Sequence, residues 1–137
     1  LRRKFHAYLE SSELDLGHVF AFLAIEAAYT HGTEWLDQCL AYIQGNIDYV
    51  DEFLKLHTPK IKAIRPQASF LVWLDCREMG LAQDALNDFF VDKAHLALNN
   101  GVAFGEEGEG FMRLNVASPR SVLEKAMKQL ADAYAAL

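Results

Sequence analysis

Cysteine is scarce in this sequence. Only Cys39 and Cys76 occur, and they form neither a Cys-x-x-Cys pair nor a disulfide framework. We expect both to be small core or near-core residues in a reducing compartment, which predicts a cytoplasmic location. Apolar runs fall short of the about 20 residues that a membrane span needs. The beginning of the chain is too charged for a signal peptide, so we expect no membrane partner.

Positive charge is also in short supply. The 13 Lys and Arg residues against 19 Asp and Glu residues give a net charge of −6. This balance disfavours a nucleic-acid partner, because nucleic-acid phosphates attract basic patches. The basic cluster Arg2-Arg3-Lys4 is interpreted as the solvated first turn of a helix. A contact with an anionic lipid or a nucleic acid is the alternative interpretation of that cluster.

Motifs for metal ions, phosphates and nucleophiles are missing. The 5 histidines show no i, i+4 pair and no other ligand spacing. Gly105, Gly108 and Gly110 lack the spacing of a phosphate loop, and the glutamates between them would repel phosphate. No Gly-x-Ser-x-Gly context surrounds a serine. We therefore predict no metal site, and we interpret residues 105–110 as a flexible turn, called here the acidic loop.

The sequence is rich in apolar residues, and they recur at the spacings typical of helices and strands. With 137 residues, of which 52% are hydrophobic, the chain can build one domain with a core. We predict helices over residues 2–11, 18–30, 33–57, 82–94 and from Ser118 onward, and strands over residues 61–65, 70–76, 95–98 and 111–117. This order predicts an α+β fold, a two-layer α/β sandwich in which helices pack on a short, mostly antiparallel sheet.

The N-terminal helices carry two further predictions. The segment Asp15-Leu16-Gly17 should separate the first helix from the second. Residues 18–30 are apolar nearly all round, so this helix should be buried on more than one side. Thr33 can cap the third helix, and Ser118, together with a capping box of Ser121 and Glu124, can cap the last one.

The third helix has the strongest periodic signal. Its apolar residues are spaced 4, 3, 4, 3, 4, as in a coiled-coil seam: Leu36, Leu40, Ile43, Ile47, Val50 and Leu54. At a rise of about 1.5 Å per residue the helix would run nearly 40 Å, so we expect it to reach beyond its own domain. We therefore divide the chain into a helical segment over residues 1–57 and a sheet-containing part over residues 58–137, forming one structural unit.

Arg113 is the most informative single residue. It lies in the middle of a predicted strand, on one face with Phe111 and Asn115. A guanidinium in such a place needs a partner, because an unpaired buried charge is costly. Its planar fork suits a carboxylate. The pattern leaves two partners open, which are an internal acid such as Asp75 or a residue of the acidic loop, and the carboxylate of a ligand.

Three blocks of this sequence resemble one enzyme family. The C-terminal signature of class I/II aminotransferase-fold enzymes is similar to Phe104-Gly105, Gly110-Phe111-Met112-Arg113-Leu114-Asn115-Val116-Ala117 and Pro119-Arg120. Residues 64–75 resemble the two small-domain strands of that family. Residues 24–29 with Trp35-Leu36 resemble its cystathionine β-lyase, or C–S lyase, branch.

The resemblance implies a fold-type I enzyme that depends on pyridoxal 5'-phosphate (PLP) and is usually a homodimer. It implies that this chain is the C-terminal small domain, and that the long helix links it to a large domain preceding Leu1. Arg113 matches the arginine that binds the α-carboxylate of the amino-acid substrate, whereas Asn115 and Pro119 match positions that look structural. In such enzymes the cofactor acts as an electron sink, and the moving small domain excludes water.

The resemblance also implies that the cofactor lysine lies outside this chain. None of its lysines follows a Ser/Thr-x-x-Lys pattern: Lys4, Lys55, Lys60, Lys62, Lys93, Lys125 and Lys128. We therefore expect no catalytic and no cofactor-binding residue here, no stably bound PLP, and no activity of the chain alone. The implied full-length parent is a C–S β-lyase acting on an amino acid such as cystathionine. An aminotransferase is the alternative within the family, and a free-standing binding or interaction module is the alternative of another class.

Overall fold

The structure, a computed structural model, describes residues 1–14 and 17–137. Its helices are α1 (Arg2–Ser11), α2 (Val19–His31), α3 (Thr33–His57), α4 (Gln83–Asp88) and α5 (Arg120–Ala135). Its strands are β1 (Lys62–Ile64), β2 (Leu71–Asp75), β3 (Asn99–Asn100) and β4 (Phe111–Asn115). The predicted first three helices agree with this to within a residue. The break predicted at Asp15-Leu16-Gly17 falls mostly on residues outside the described ones. None of the described helices is both long and apolar enough to cross a membrane.

The chain divides into two compact units, Leu1–Leu40 and Ala41–Leu137. The first unit contains α1, α2 and the beginning of α3. Helix α2 begins after His18, whose Nδ1 accepts a hydrogen bond from the backbone N–H of Phe20 at 3.2 Å. The large apolar side chains of α2 remain exposed, from 57% for Ile25 to 87% for Tyr29. The prediction that α2 is buried on more than one side is therefore wrong for this chain by itself, because its described residues do not cover the helix.

The second unit is built on an antiparallel sheet with the strand order β1-β2-β4-β3. The predicted α+β class is confirmed, and β2 is a central strand as predicted. The inner face of the sheet is fully buried and shares one core with side chains of the helices α3, α4 and α5. These buried residues are Val72, Leu74, Met112 and Leu114 of the sheet, with Val50, Leu54, Leu86, Leu123, Met127 and Leu130 of the helices.

Helix α3 contributes to both units, since the first ends at Leu40 and the second begins at Ala41. Its C-terminal half contributes Ile47, Val50 and Leu54 to the core of the second unit. The seam residues Leu36 and Leu40 belong to the first unit and are 48% and 55% exposed. The predicted seam therefore acts as a packing stripe in the second unit, where a sheet is available to cover it.

Asn46 ties α3 to the connection between β4 and α5. Its side chain is fully buried, and its Nδ2 donates to the carbonyl oxygens of Val116 at 2.8 Å and Ser118 at 3.0 Å. Its Oδ1 accepts a hydrogen bond from Nε of Arg120 at 2.9 Å. The backbone N–H of Arg120 donates to the hydroxyl of Tyr42 at 2.7 Å. Side chains of α3 thus form hydrogen bonds with polar groups just before and at the beginning of α5.

These contacts from α3 explain why the N-terminal caps predicted for α5 are wrong. Pro119 directly precedes the helix, and no side chain forms a cap there. Neither Ser118 nor the Ser121 and Glu124 pair takes the predicted role. The reason is the Tyr42 hydroxyl, which comes from a distant part of the sequence and accepts the hydrogen bond that a local cap would otherwise accept.

The strand predicted over residues 95–98 is also wrong. Helix α4 continues into a wider π-type turn over Phe89–Lys93, and the N–H of Leu96 donates to the carbonyl of Phe90 at 2.8 Å. His95 has a positive φ of 55°. These bonds use the backbone for a reversal of direction, so that pairing with β4 begins only at Asn99.

Two glycines bring the acidic loop against the segment that follows β3. A Cβ added to Gly101 would lie 2.1 Å from the carbonyl oxygen of Gly108, and one added to Gly108 would lie 2.1 Å from the carbonyl oxygen of Gly101. Gln83 fixes the same region, since its Oε1 accepts from the N–H of Gly110 and its Nε2 donates to Oδ1 of Asn100, both at 2.6 Å. The loop predicted to be a flexible turn is therefore held at Gly108 and at Gly110.

Candidate functional site

Arg113 occupies the middle of β4, between two neighbouring strands. Its Cα partners are Trp73 of β2 on one side and Asn99 of β3 on the other. The alternation of side chains along β4 buries Met112 and Leu114 and places Arg113 on the opposite, outer face. The predicted face shared by Phe111, Arg113 and Asn115 is confirmed by this pattern.

The guanidinium of Arg113 uses few of its donors inside the chain. Its Nη2 donates to Oδ1 of Asn99 at 3.0 Å, and its Cζ lies 4.3 Å from the ring centroid of Phe104. Its Nε is buried without a hydrogen-bond partner among the described residues. A guanidinium has five N–H donors, and a buried one without an acceptor costs about 1–3 kcal/mol. Such an unpaired buried donor is rare in folded proteins and calls for a specific explanation, of which an anionic ligand is one.

The internal carboxylates considered as partners are not bound to Arg113. Asp75 lies on β2 and forms a two-pronged pair with Arg77, at 2.9 Å from Nε and 2.7 Å from Nη2. This hydrogen bonding from Arg77 lowers the pKa of the Asp75 carboxyl below its usual value. Within the described part of the chain, no carboxylate reaches Arg113 at the 4.0 Å of an ion pair. The outer sheet face therefore offers a cation that no internal acid neutralises.

An aromatic cluster lies beside this cation, which the ring of Phe104 contacts directly. Trp73 meets Phe104 edge to face at 5.4 Å between centroids, and it meets Phe111 edge to face at 6.1 Å. Arg77 lies over the other side of the group, with its Cζ 4.9 Å from the centroid of Phe111. The ring of Phe104 covers one face of the Arg113 guanidinium and makes a cation–π contact with it, and the edge of the guanidinium remains for hydrogen bonding. The arrangement can bind a planar carboxylate.

The lysines of the chain do not form a site for an aldehyde cofactor. All seven are exposed, and the side chains of Lys55 and Lys62 are already paired with Asp51 and Glu78. A lysine that forms a Schiff base has to be deprotonated, as happens in a buried or strongly cationic pocket. The residues of this chain therefore do not fit PLP by themselves. In the described residues, groups of His, Cys, Asp and Glu that could hold a metal ion are likewise absent.

The two cysteines lie close to where they were expected. Cys76 is buried in the core, and burial raises the pKa of its thiol to about 12. Such a thiol is unreactive, because the thiolate is the reactive form. Cys39 is half-buried, which agrees with a near-core position.

Two contacts of the site were not recognised in the sequence. Asn99 lies beyond the strand that was predicted over residues 95–98, so its pairing with Arg113 was not foreseen. Phe104 was recognised as part of a motif, but its position over the guanidinium depends on the turn Gly101–Phe104. The available signal was the run Asn99-Asn100-Gly101, which marks a turn without indicating what the first asparagine contacts.

Comparisons with known proteins give the same picture over almost the whole chain. No protein-family model matches it. Cystathionine beta-lyase PatB of Bacillus subtilis (strain 168) is 38% identical over 129 residues, which are 94% of this chain and 33% of PatB. Protein MalY of Escherichia coli (strain K12) is 36% identical over 119 residues, which are 87% of this chain and 30% of MalY.

Solved structures agree with the sequence relatives. A PLP-bound protein of Clostridium difficile 630 superposes with a TM-score of 0.86 and 34% identity, covering 96% of this chain and 35% of that one. Cystalysin of Treponema denticola, which contains a PLP cofactor, gives a TM-score of 0.84 and 30% identity, covering 92% of this chain and 33% of cystalysin. The chain therefore spans about a third of the length of the relatives that it matches, and it corresponds to their C-terminal part.

Proposed function

Because this chain is homologous to the C-terminal third of PLP-dependent lyases and aminotransferases, we propose that it forms the small domain of such an enzyme and that its Arg113 binds the α-carboxylate of an amino-acid substrate. The observation that carries this proposal is the unneutralised guanidinium on the outer sheet face, with aromatic rings beside it. Arginine pairs with a carboxylate through two parallel hydrogen bonds, which fixes the orientation as well as the position of the substrate.

The reaction proposed for the full-length parent is the cleavage of a C–S bond by β-elimination. Support comes from the relatives named as cystathionine beta-lyases. In this proposal PLP would be held by residues outside this chain, since all seven lysines here are exposed, and it would supply the electron sink for the reaction. The part of Arg113 is to bind and orient the carboxylate. Aminotransferase activity is the alternative that the assay below distinguishes.

The first unit supplies the proposed contact with the rest of the parent. It carries exposed apolar side chains on both α2 and the beginning of α3, among them Phe20, Phe22, Tyr29 and Trp35. So much exposed apolar surface is typical of a surface that a partner covers. We propose that this apolar surface is covered by a large domain, either that of the same polypeptide or that of the second copy in a homodimer. The free thiols Cys39 and Cys76 support a cytoplasmic location.

The test is kinetic and uses the full-length enzyme. Arg113→Lys keeps the charge but loses the fork, and a lost hydrogen bond to a charged group is worth about 1.5–3 kcal/mol. We therefore expect kcat/KM for cystathionine to fall by roughly 10- to 150-fold. Arg65→Lys is the matched control, since Arg65 is exposed and already paired with Asp48 and Asp51; it should change kcat/KM little.

Two outcomes would contradict the proposal at different points. If Arg113→Lys leaves kcat/KM unchanged, Arg113 does not bind the substrate carboxylate. If the wild-type enzyme exchanges amino groups with a keto acid and releases no pyruvate and ammonia from cystathionine, the parent is an aminotransferase. Release of pyruvate and ammonia supports the lyase.

A further inference from the structure

The hydrogen bond between Asn99 and Arg113 has a consequence for substrate binding. We propose that Asn99 is a positioning residue whose neutral amide oxygen anchors the guanidinium of Arg113 without neutralising it, so that the full positive charge is kept for the substrate carboxylate. This inference rests on the proposed role of Arg113. It adds a second residue to the site, together with a reason for its chemical type.

The geometry shows that the guanidinium is held at several points. Asn99 is the Cα partner of Arg113 across the β3–β4 pair, and its Oδ1 accepts from Nη2 at 3.0 Å. The ring of Phe104 covers one face, with 4.3 Å between its centroid and Cζ. The Nε edge is buried. Because an arginine has only donors, the asparagine must present its oxygen. The Nη1 group and the second hydrogen of Nη2 remain available for a carboxylate.

The neutral anchor distinguishes Arg113 from Arg77 and Arg65, whose partners are carboxylates. Arg120 also has an amide partner, but its bond to Asn46 joins helix α3 to the beginning of α5. Arg77 is bound by the carboxylate of Asp75, and Arg65 is bound by those of Asp48 and Asp51. A carboxylate at position 99 would hold the guanidinium at least as firmly, but it would compete directly with an incoming carboxylate. An amide oxygen orients the guanidinium and leaves its positive charge unneutralised. This combination is what a site for an anionic ligand requires.

The experiment separates orientation from charge in the full-length enzyme. Asn99→Asp keeps the size and the acceptor but adds a charge, so we expect KM for the amino-acid substrate to rise by about tenfold or more, with a smaller change in kcat. For the primary-amide analogue of the same amino acid, which has no carboxylate, Asn99→Asp should bring no comparable penalty. Asn99→Ala should lower kcat/KM by a few-fold, because the guanidinium loses its anchor while keeping its charge.

A control variant places the same charge at another position on the outer face of the sheet, on β4 instead of β3. Asn115 is exposed and lies two residues from Arg113 along β4, where its Oδ1 accepts from the N–H of Ala117 at 2.9 Å. Asn115→Asp should keep that hydrogen bond and change KM by less than about twofold, because this side chain, unlike that of Asn99, makes no hydrogen bond to the guanidinium of Arg113. Asn99 is itself exposed, so the thermal unfolding of Asn99→Asp should match that of the wild type.

The remaining outcomes distinguish a failure of the proposed role of Asn99 from a failure of the proposed function of Arg113. If Arg113→Lys impairs the enzyme and Asn99→Asp does not, the inference about Asn99 fails while the proposed function stands. If Arg113→Lys has no effect, the proposed function itself fails. An equal loss in Asn99→Asp and Asn115→Asp, or an equal loss with the amide analogue, would show a general effect of charge or structure and would overturn the role of Asn99.

Discussion

Replacing Asn46 by alanine measures how strongly one buried amide holds α3 to the segment between β4 and α5. The substitution leaves the carbonyl oxygens of Val116 and Ser118 without the donor that lies 2.8 Å and 3.0 Å away. A buried acceptor left unpaired costs about 1–3 kcal/mol, and Ser118, which is only half-buried, belongs at the lower end. Alanine returns about 0.5 kcal/mol through its higher helix propensity. We therefore expect the free energy of unfolding to fall by about 1.5–3.5 kcal/mol.

Urea unfolding of the chain provides the assay, with the midpoint and the slope determined separately. The midpoint should fall while the slope stays constant, which indicates a loss of stability without a change in the unfolded state. Gln44→Ala is the matched control on the same helix, because Gln44 is exposed and bonds only to Asp48 one turn away, at 3.0 Å. It should cost no more than about 0.5 kcal/mol. A loss below about 1 kcal/mol for Asn46→Ala, or equal losses for both variants, would show that the buried amide of Asn46 does not hold α3 to this segment.

Two further predictions concern acid and the cofactor. The hydrogen bond from Arg65 lowers the pKa of Asp48, and for Asp51 the raising effect of burial is outweighed by hydrogen bonds from Lys55 and Arg65, so its pKa is also lowered. Their contribution to stability is complete above the unfolded pKa of about 3.9 and is lost as the pH falls through the lower folded values. Urea unfolding at pH 7 and pH 3 should therefore show a smaller acid-induced loss for Arg65→Gln than for the wild type, and equal losses would contradict this assignment. Because every lysine is exposed, the chain mixed with PLP and then dialysed should retain no stoichiometric visible absorbance; a complex that survives dialysis would contradict the expectation.

Much of the second unit could be predicted because its signals are local. The alternation over residues 111–117 correctly assigned Arg113 and Met112 to opposite faces of β4. The apolar run over residues 70–76 correctly predicted a central strand. The inward residues of the 82–94 segment, such as Leu86 and Phe90, are buried as predicted. In each case the period of the sequence is the period of the structure.

The failures have a common physical origin in contacts between distant residues. The capping of α5 could not be predicted, because the acceptor of the Arg120 N–H is Tyr42, which lies 78 residues earlier. The exposure of α2 could not be predicted either, since an apolar helix indicates that a covering surface is needed without saying where that surface comes from. The partner Asn99 depended on where β3 begins, and this is set by the π-type turn that follows α4.

The close approach of Gly101 and Gly108 determines how this domain can diverge in sequence. Each glycine excludes a side chain at its own position through the backbone of the other, so no change in a neighbouring side chain can make room. Glu106, Glu107 and Glu109 are exposed and carry no such restriction. Over evolutionary time the charge of this loop is thus free to drift while its two crossing points stay fixed. We therefore expect relatives that keep this crossing of the chain to keep both glycines, whatever acids surround them.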